Sequence, residues 1–236
     1  MNEEKVFKRY SRQIFIEEIG VSGQRKIMAA KVLIIGAGGL GSPVIQYLAA
    51  SGVGEIGVVD DDCIELHNLN RQVIHSEAQV GKAKVDSAVH FVQSLNSAIN
   101  LIPIHAKITK ANALDLIRDY DIVVDGSDNF TTRYLVNDTC VILGKPLVYG
   151  SILAYEGQTA VFNLHGSKNL RDIFPESPNE DLLPDCDSRG VLGPLAGIIG
   201  SMMAMHVLKI ITGLPIAINT LTIVDTYHEK TDQVVF

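Results

Sequence analysis

The chain has 236 residues, 47% of them hydrophobic and 20% charged, and a formal net charge of −7. That length fits one large α/β domain or two small ones, and it buries roughly three quarters of the unfolded surface without covalent staples. The composition excludes a disordered chain, and the acidic balance argues against a binder of the nucleic-acid backbone. The three cysteines, Cys63, Cys140 and Cys186, are widely spaced and odd in number. They form no disulfide framework and suggest a reducing compartment.

In chain order, "MNEEKVFKRYSRQ" is charged and lacks the apolar core of a secretory leader, so a cytoplasmic location is expected and residues 1–29 read as a helical segment. "KVLIIG" (Lys31–Gly36) is a β-branched strand, and "LGSPVIQYLAASG" after it has helical spacing and stops at Gly52. "EIGVVD" (Glu55–Asp60) is a second buried strand. "KAKVDSAVHFVQSLN" (Lys82–Asn96) is an amphipathic helix, and "NLIPIHAKI" a third strand. "NALDLIRD" is a short helix before the strand "YDIVVDG" (Tyr120–Gly126). The helix "NFTTRYLVNDTCVILG" then leads to "KPLVYGS". Such alternation predicts a doubly wound, mostly parallel sheet.

After Ser151 the pattern changes. "YEGQTAVFNL" alternates like an antiparallel strand, and the polar stretch after it shows little periodicity. "VLGPLAGIIGSMMAM" (Val191–Met205) is shorter than the ~20 residues of a spanning helix, with His206 and Lys209 close behind, so a buried core helix is expected rather than a membrane segment. It belongs to an apolar helix from about Gly190 to Thr212, and "TLTIVD", ending at Asp225, closes the fold. One domain is predicted over 1–236: a helical segment at 1–29, a nucleotide-binding core at 30–164, a crossover loop at 165–189, and a helix with antiparallel strands at 190–236.

"GAGGLG", with Gly36, Gly38, Gly39 and Gly41, follows a buried strand and opens a helix, the context that makes this motif informative. The glycines permit a tight turn and close approach of a phosphate to the helix N-terminus. Asp60 ends the next strand, where a carboxylate commonly binds ribose hydroxyls. These residues alone do not separate a nicotinamide dehydrogenase from an ATP user. The cations that follow do: Arg71 in an Asn-rich turn, then Lys82 and Lys84, suit charge building on phosphates better than hydride transfer. "DGSDNFTTR" places Asp128 beyond a parallel strand, where a carboxylate can hold Mg²⁺ on a triphosphate. The structural alternatives are Arg71 as a surface side chain and Asp128 as a helix N-cap.

The segments "RYSRQI", "GAGGLGSP", "VDDDCIELHNLNRQ", "VGKAKVDSA", "DGSDNFTTRYLVND" and "GVLGPLAGIIGS" occur in order along most of the chain. Together they resemble the ThiF/MoeB/HesA family, bacterial relatives of the ubiquitin-activating enzymes, with a Rossmann-like fold. The resemblance implies ATP- and Mg²⁺-dependent adenylation of the C-terminal glycine carboxylate of a ubiquitin-like sulfur carrier ending in Gly-Gly, of the thiamine or molybdopterin type. It implies that Gly39 contacts the nucleotide, Asp60 binds ribose, and Asn68, Arg71, neighbouring Gln72 and Lys84 hold phosphates. Ser127, Asp128 and Asn129 would sit at the metal and the reacting carboxylate. Arg12 matches an arginine that reaches the partner subunit's site in relatives, which implies a homodimer. Another acceptor, peptide or tRNA, and a non-catalytic dimeric module are the alternatives. The acidic charge weighs against tRNA, and the intact Arg71, Lys84 and Asp128 weigh against a degenerate site.

The two Cys-x-x-Cys pairs that bind structural zinc in many relatives are missing from the sequence, so no structural zinc is expected. His75, His165 and His206 are isolated and read as core or surface residues, His105 as structural, and Cys63 and Cys140 as small buried residues. Cys186 matches the crossover-loop cysteine of the family, leaving two roles open: sulfur or acyl transfer after adenylation, or a structural part.

Overall fold

The apolar runs of the first half become strands because their β-branched side chains suit a pleated surface buried on both sides. A computed structural model describes residues 3–178 and 190–236. Helices α1 (Glu3–Ile14) and α2 (Gly20–Ala29) precede β1 (Lys31–Ile35), α3 (Gly41–Ser51) and β2 (Glu55–Val59). Then come α4 (Lys84–Leu95), β3 (Asn100–Ile104), α5 (Ala113–Ile117), β4 (Ile122–Asp125), α6 (Phe130–Leu143) and β5 (Leu147–Leu153). The chain continues through β6 (Glu156–Phe162), α7 (Leu170–Ile173), α8 (Gly193–Thr212), β7 (Thr220–Asp225) and β8 (Lys230–Val235).

The described strands form one eight-stranded sheet in the order β3-β2-β1-β4-β5-β6-β7-β8. Pairing is parallel from β3 to β5 and antiparallel from β5 to β8. Alternate side chains enter two cores. Val32 and Ile34 of β1 face the layer of α3, α4 and α8, whereas Leu33 and Ile35 face α5 and α6. Successive strands run outward from β1 in one direction and from β4 in the other. The loops after β1 and β4 therefore open a crevice at the carboxyl edge, the switch point where such sheets bind ligands.

The mostly parallel sheet with an antiparallel end agrees with the sequence reading. Four details depart from it. Strand β8 was not located within the strands expected at 190–236, and it lies at the sheet edge with every residue exposed. A short helix, α7, forms within the expected irregular stretch, capped by Asn169. Cys63 is exposed rather than buried, since the strap after β2 runs over the surface, whereas Cys140 is buried as expected. The length argument against a membrane segment fails: α8, within the helix read from about Gly190 to Thr212, runs through His206 and Lys209 to 20 residues, long and apolar enough by length and composition to cross a membrane. Its Leu195, Ile199, Met203 and Val207 nevertheless fill the core, and it packs on α2, α3, β5 and β6. Close packing needs small partners: a Cβ at Gly150 or Gly157 would overlap Met203 or Ile199.

The motif "RYSRQ" divides its labour. Tyr10 is buried, with its hydroxyl accepting from Asn96 Nδ2 at 2.9 Å and its ring lying against Gly52. Gln13 donates to Gln24 Oε1 and to the Ser51 carbonyl. Arg12, between these anchors, stays exposed.

Candidate active site

The loop after β1 is built on close backbone approach. Gly36 has a positive φ of 91°, which favours glycine, and a Cβ there would sit 3.0 Å from the Gly126 carbonyl. A Cβ on Gly41 would overlap the Gly36 carbonyl oxygen, so Gly41 serves the loop–helix contact and does not line the crevice. Gly38 and Gly39 do line it. Added Cβ atoms there would meet nothing nearer than 3.5 Å, so bare backbone faces the open space.

That space is a cavity of about 480 Å³, within the roughly 300–1,000 Å³ usual for small-molecule sites. Gly36, Asp60, Arg71, Gln72, Lys84, Ser127, Asp128 and Asn129, all singled out in the sequence, line it. Asn68 does not: it is buried, its Oδ1 accepting the Glu65 N–H and its amide meeting His67 Nε2 at 3.1 Å. Asn68 thus shapes the turn that presents Arg71. Arg12 lies outside the cavity of its own chain. Cys186 falls outside the described residues.

Asp60 is held by its neighbours. Its Oδ2 accepts the Ala37 N–H at 2.7 Å and its Oδ1 the Asp62 N–H at 2.9 Å. Burial raises its pKa above the usual carboxylate value, while Lys84 and these two N–H groups pull it back. Lys84 is buried and its ammonium donates to Asp62 Oδ2 at 2.6 Å. Arg71 Nη1 donates to the His67 carbonyl and to Asn70 Oδ1, each at 3.1 Å, and neither Arg71 nor Lys107 has a carboxylate partner among the described residues. Two cations that face one cavity with no ion-pair partner among the described residues suit an anionic ligand.

Beyond β4, Asn129 rather than Asp128 caps α6, its Oδ1 accepting the Thr132 N–H at 2.8 Å. Asp128 stays exposed at the cavity mouth, so the N-cap alternative fails. The loop is braced from below. Ser127 donates to Asp125 Oδ1 through Oγ at 2.6 Å, while buried Arg133 donates to the Ser127 and Gly150 carbonyls, both at 2.6 Å. The opposite wall is Gly190 and Val191, joined to β5's end through the Gly190 carbonyl and Ala154 N–H. A Cβ at Gly193 would overlap the Asn70 carbonyl, so that glycine brings the start of α8 onto the Arg71 turn.

Sequence reasoning missed Asp62, His67, Asn70, Lys107 and Arg133 as lining residues. Lys107 was findable, because it follows a parallel strand and so falls at the same carboxyl edge. The pairing of Asp62 with Lys84 had no local signal.

A nucleotide fits these residues. The cavity volume, the bare glycine backbone and the cations Arg71 and Lys107 suit phosphates, and buried Gln72 Oε1 has no hydrogen-bond partner among the described residues, leaving an acceptor for a ligand hydroxyl or amine. No group of three or more metal-ligating side chains occurs among the described residues. Lone Asp128 suits Mg²⁺, which is usually bound by one or two carboxylates together with substrate phosphates.

Comparison with known proteins agrees with this geometry. The ThiF family profile matches residues 10–235. The chain is 50% identical over 206 residues to the adenylyltransferase and sulfurtransferase MOCS3 of Xenopus laevis, covering 87% of this chain and 46% of that protein. It is 51% identical over 205 residues to the MOCS3 of Culex quinquefasciatus, covering 87% and 47%. The chain thus spans about half the length of these relatives. Among solved structures, E. coli MccB with ATP matches at TM-score 0.84 and 26% identity, over 96% of this chain and 71% of that one. MccB is also described as a microcin C7 biosynthetic enzyme, solved in complex with N-formylated MccA.

Proposed function

The chain belongs to the ThiF family, and from that premise we propose that it is an ATP-dependent adenylyltransferase acting on the C-terminal glycine carboxylate of a ubiquitin-like sulfur carrier. The observation that carries the proposal is one cavity in which Arg71 and Lys107 have no carboxylate partner among the described residues and Asp128 is released from capping. Similarity to MOCS3 of Xenopus laevis, an adenylyltransferase and sulfurtransferase, supports the sulfur-carrier acceptor. Thiamine and molybdopterin carriers both satisfy the chemistry.

A C-terminal carboxylate is ionised at pH 7 and needs no general base. One of its oxygens attacks the α-phosphorus of ATP, the bond to the β-phosphate oxygen breaks, and pyrophosphate leaves as the acyl adenylate forms. Catalysis then rests on alignment and charge neutralisation. Asp60 accepts ribose hydroxyls, the glycine loop offers N–H groups, and Arg71, Lys107 and Lys84 balance phosphate charge. Lys84 does so by sharing or exchanging its hold on Asp62. Asp128 would hold Mg²⁺, which neutralises phosphate oxygens when bound. Pairing of two chains in the cytoplasm would bring exposed Arg12 to the partner's cavity, and exposed Phe7 and Phe15 on and beside α1 suit such a contact. Cys186 takes no part in this first reaction.

The test is ATP–pyrophosphate exchange with Mg²⁺ and carriers ending in Gly-Gly. Exchange is expected with at least one carrier, and its absence with all of them would sink the sulfur-carrier assignment. The likeness to MccB favours a peptide carboxylate as the second reading, and exchange with a peptide alone would select it.

A further inference from the structure

His75 belongs to no site described above, yet it is buried and reaches the glycine loop. Its Nε2 lies 3.0 Å from the Ala37 carbonyl oxygen, and its Nδ1 lies 2.8 Å from Ser87 Oγ. A carbonyl only accepts, so Nε2 carries the proton. Ser87 Oγ also lies 2.9 Å from the Gln79 side-chain amide, and one hydroxyl proton cannot serve both neighbours. With Nδ1 an acceptor, Ser87 gives that proton to Nδ1, and the Gln79 amide turns its NH₂ toward the Ser87 and Ser76 hydroxyls, which accept. Burial and nearby Lys84 hold the His75 pKa below its ordinary value, which keeps this ring neutral.

The consequence follows from peptide geometry. In a planar trans peptide the C=O and the next N–H point in opposite directions, and no described peptide is cis. A carbonyl of Ala37 drawn back into the protein therefore turns the Gly38 N–H outward. Gly38 lines the cavity, and its N–H has no acceptor among the described residues. The preceding peptide is fixed as well, by the Ala37 N–H on Asp60 Oδ2. Both peptides flanking Ala37 are thus locked from the protein side, with one donor left over on the ligand side.

We propose that His75 is a positioning residue for nucleotide binding: held as the Nε2–H tautomer by Ser87, it aims the Gly38 N–H at a phosphate of the nucleotide. The inference rests on the adenylation proposal and assigns a role to a side chain that never touches substrate. Losing His75 frees the Ala37–Gly38 peptide to flip, which sets a carbonyl against the phosphate in place of a donor. Adenosine has no phosphate and should not register the flip.

The experiment is calorimetric titration of ATP and of adenosine into wild-type, His75→Leu, His75→Gln and Ser87→Ala proteins, with a thermal melt of each. A glutamine amide reaches about as far as Nε2 and can donate to the same carbonyl. His75→Leu is expected to lose about tenfold or more in ATP affinity, the scale of one hydrogen bond to a charged group, with adenosine affinity unchanged. His75→Gln should recover most of that loss, and Ser87→Ala should show a smaller loss of the same kind. Equal losses for ATP and adenosine, no loss in a folded His75→Leu, or no recovery in a folded His75→Gln would overturn the proposal. If the His75 variants do not fold, Ser87→Ala decides, and an unchanged ratio of ATP to adenosine affinity overturns it. Wild-type protein that binds no ATP would bring down the adenylation proposal itself, an outcome distinct from these.

Discussion

The two ends of the sheet are built to different rules. From β3 to β5 the strands are parallel and largely sandwiched between helices, and β1, β2 and β4 are almost wholly buried. From β6 to β8 the pairing is antiparallel and burial fades until β8 has no buried residue. Parallel strands need crossover connections, and those connections return every carboxyl end to one edge. That edge gathers Gly38, Asp60, Lys107 and Asp128 from four separate loops. Hairpins scatter successive strand ends to opposite edges, so the antiparallel half cannot concentrate loops in the same way.

If the chemistry resides at the parallel edge, substitutions there should act on activity far more than on stability. Lys84→Ala is expected to slow exchange about 10²–10³-fold, the scale of removing one oriented charge stabiliser. Its partner Asp62 is largely exposed but Lys84 itself is buried, so chemical denaturation should show a loss of about 1–2 kcal/mol, short of the roughly 2.7–4 kcal/mol lost from the activation barrier. A larger stability loss with activity intact would break the comparison. Gly41→Ala comes next. Its Cβ would overlap the Gly36 carbonyl oxygen, so a loss of about 1–3 kcal/mol by chemical denaturation is expected, with ATP binding lost alongside. Gly157→Ala, under the antiparallel half, meets the movable Ile199 side chain and should cost stability while sparing ATP affinity.

His206 on α8 sharpens the contrast through pH. Its Nδ1 is buried without a partner among the described residues, and burial, with Lys209, lowers its pKa to about 4. The unfolded chain takes up this proton near 6.5, before the folded one does. Stability from neutral His206 is therefore full above about pH 6.5 and lost as pH falls toward 4, by up to about 3 kcal/mol. His206→Leu should flatten that part of a melting-temperature profile, and an unchanged acid slope would show that other groups set it. The smallest effect is expected at β8. Val235 is 78% exposed, so Val235→Lys should shift stability by no more than about 0.5 kcal/mol and leave ATP affinity unchanged in titration.

Legibility followed the same division. The parallel strands are near-continuous apolar runs closed by glycine or aspartate, and such runs announce themselves. "KTDQVV" of β8 has four polar residues in six and pairs on one side only, so no burial pattern marked it. At the site, the glycine loop, Asp60, Arg71, Lys84 and Asp128 were readable because each sits within a short motif. His75 was set aside as isolated since its partners Ala37 and Ser87 are distant in the chain. The competition between Asp128 and Asn129 for the cap could not be decided from composition, because both residue types cap well.

Sequence alone determined what depends on near neighbours: the strands of the parallel half, the tight glycine turn, and the helix stops at Gly52 and Gly144. Local sterics and hydrophobic period act over a few residues, so a one-dimensional string records them. Tertiary structure decided what depends on convergence: Lys107 and Arg133 in one cavity with Arg71, Lys84 on Asp62, Asn68 turned into the fold, and His75 behind the glycine loop. Those meetings are set by where crossovers return the chain, and no spacing along the sequence encodes that return.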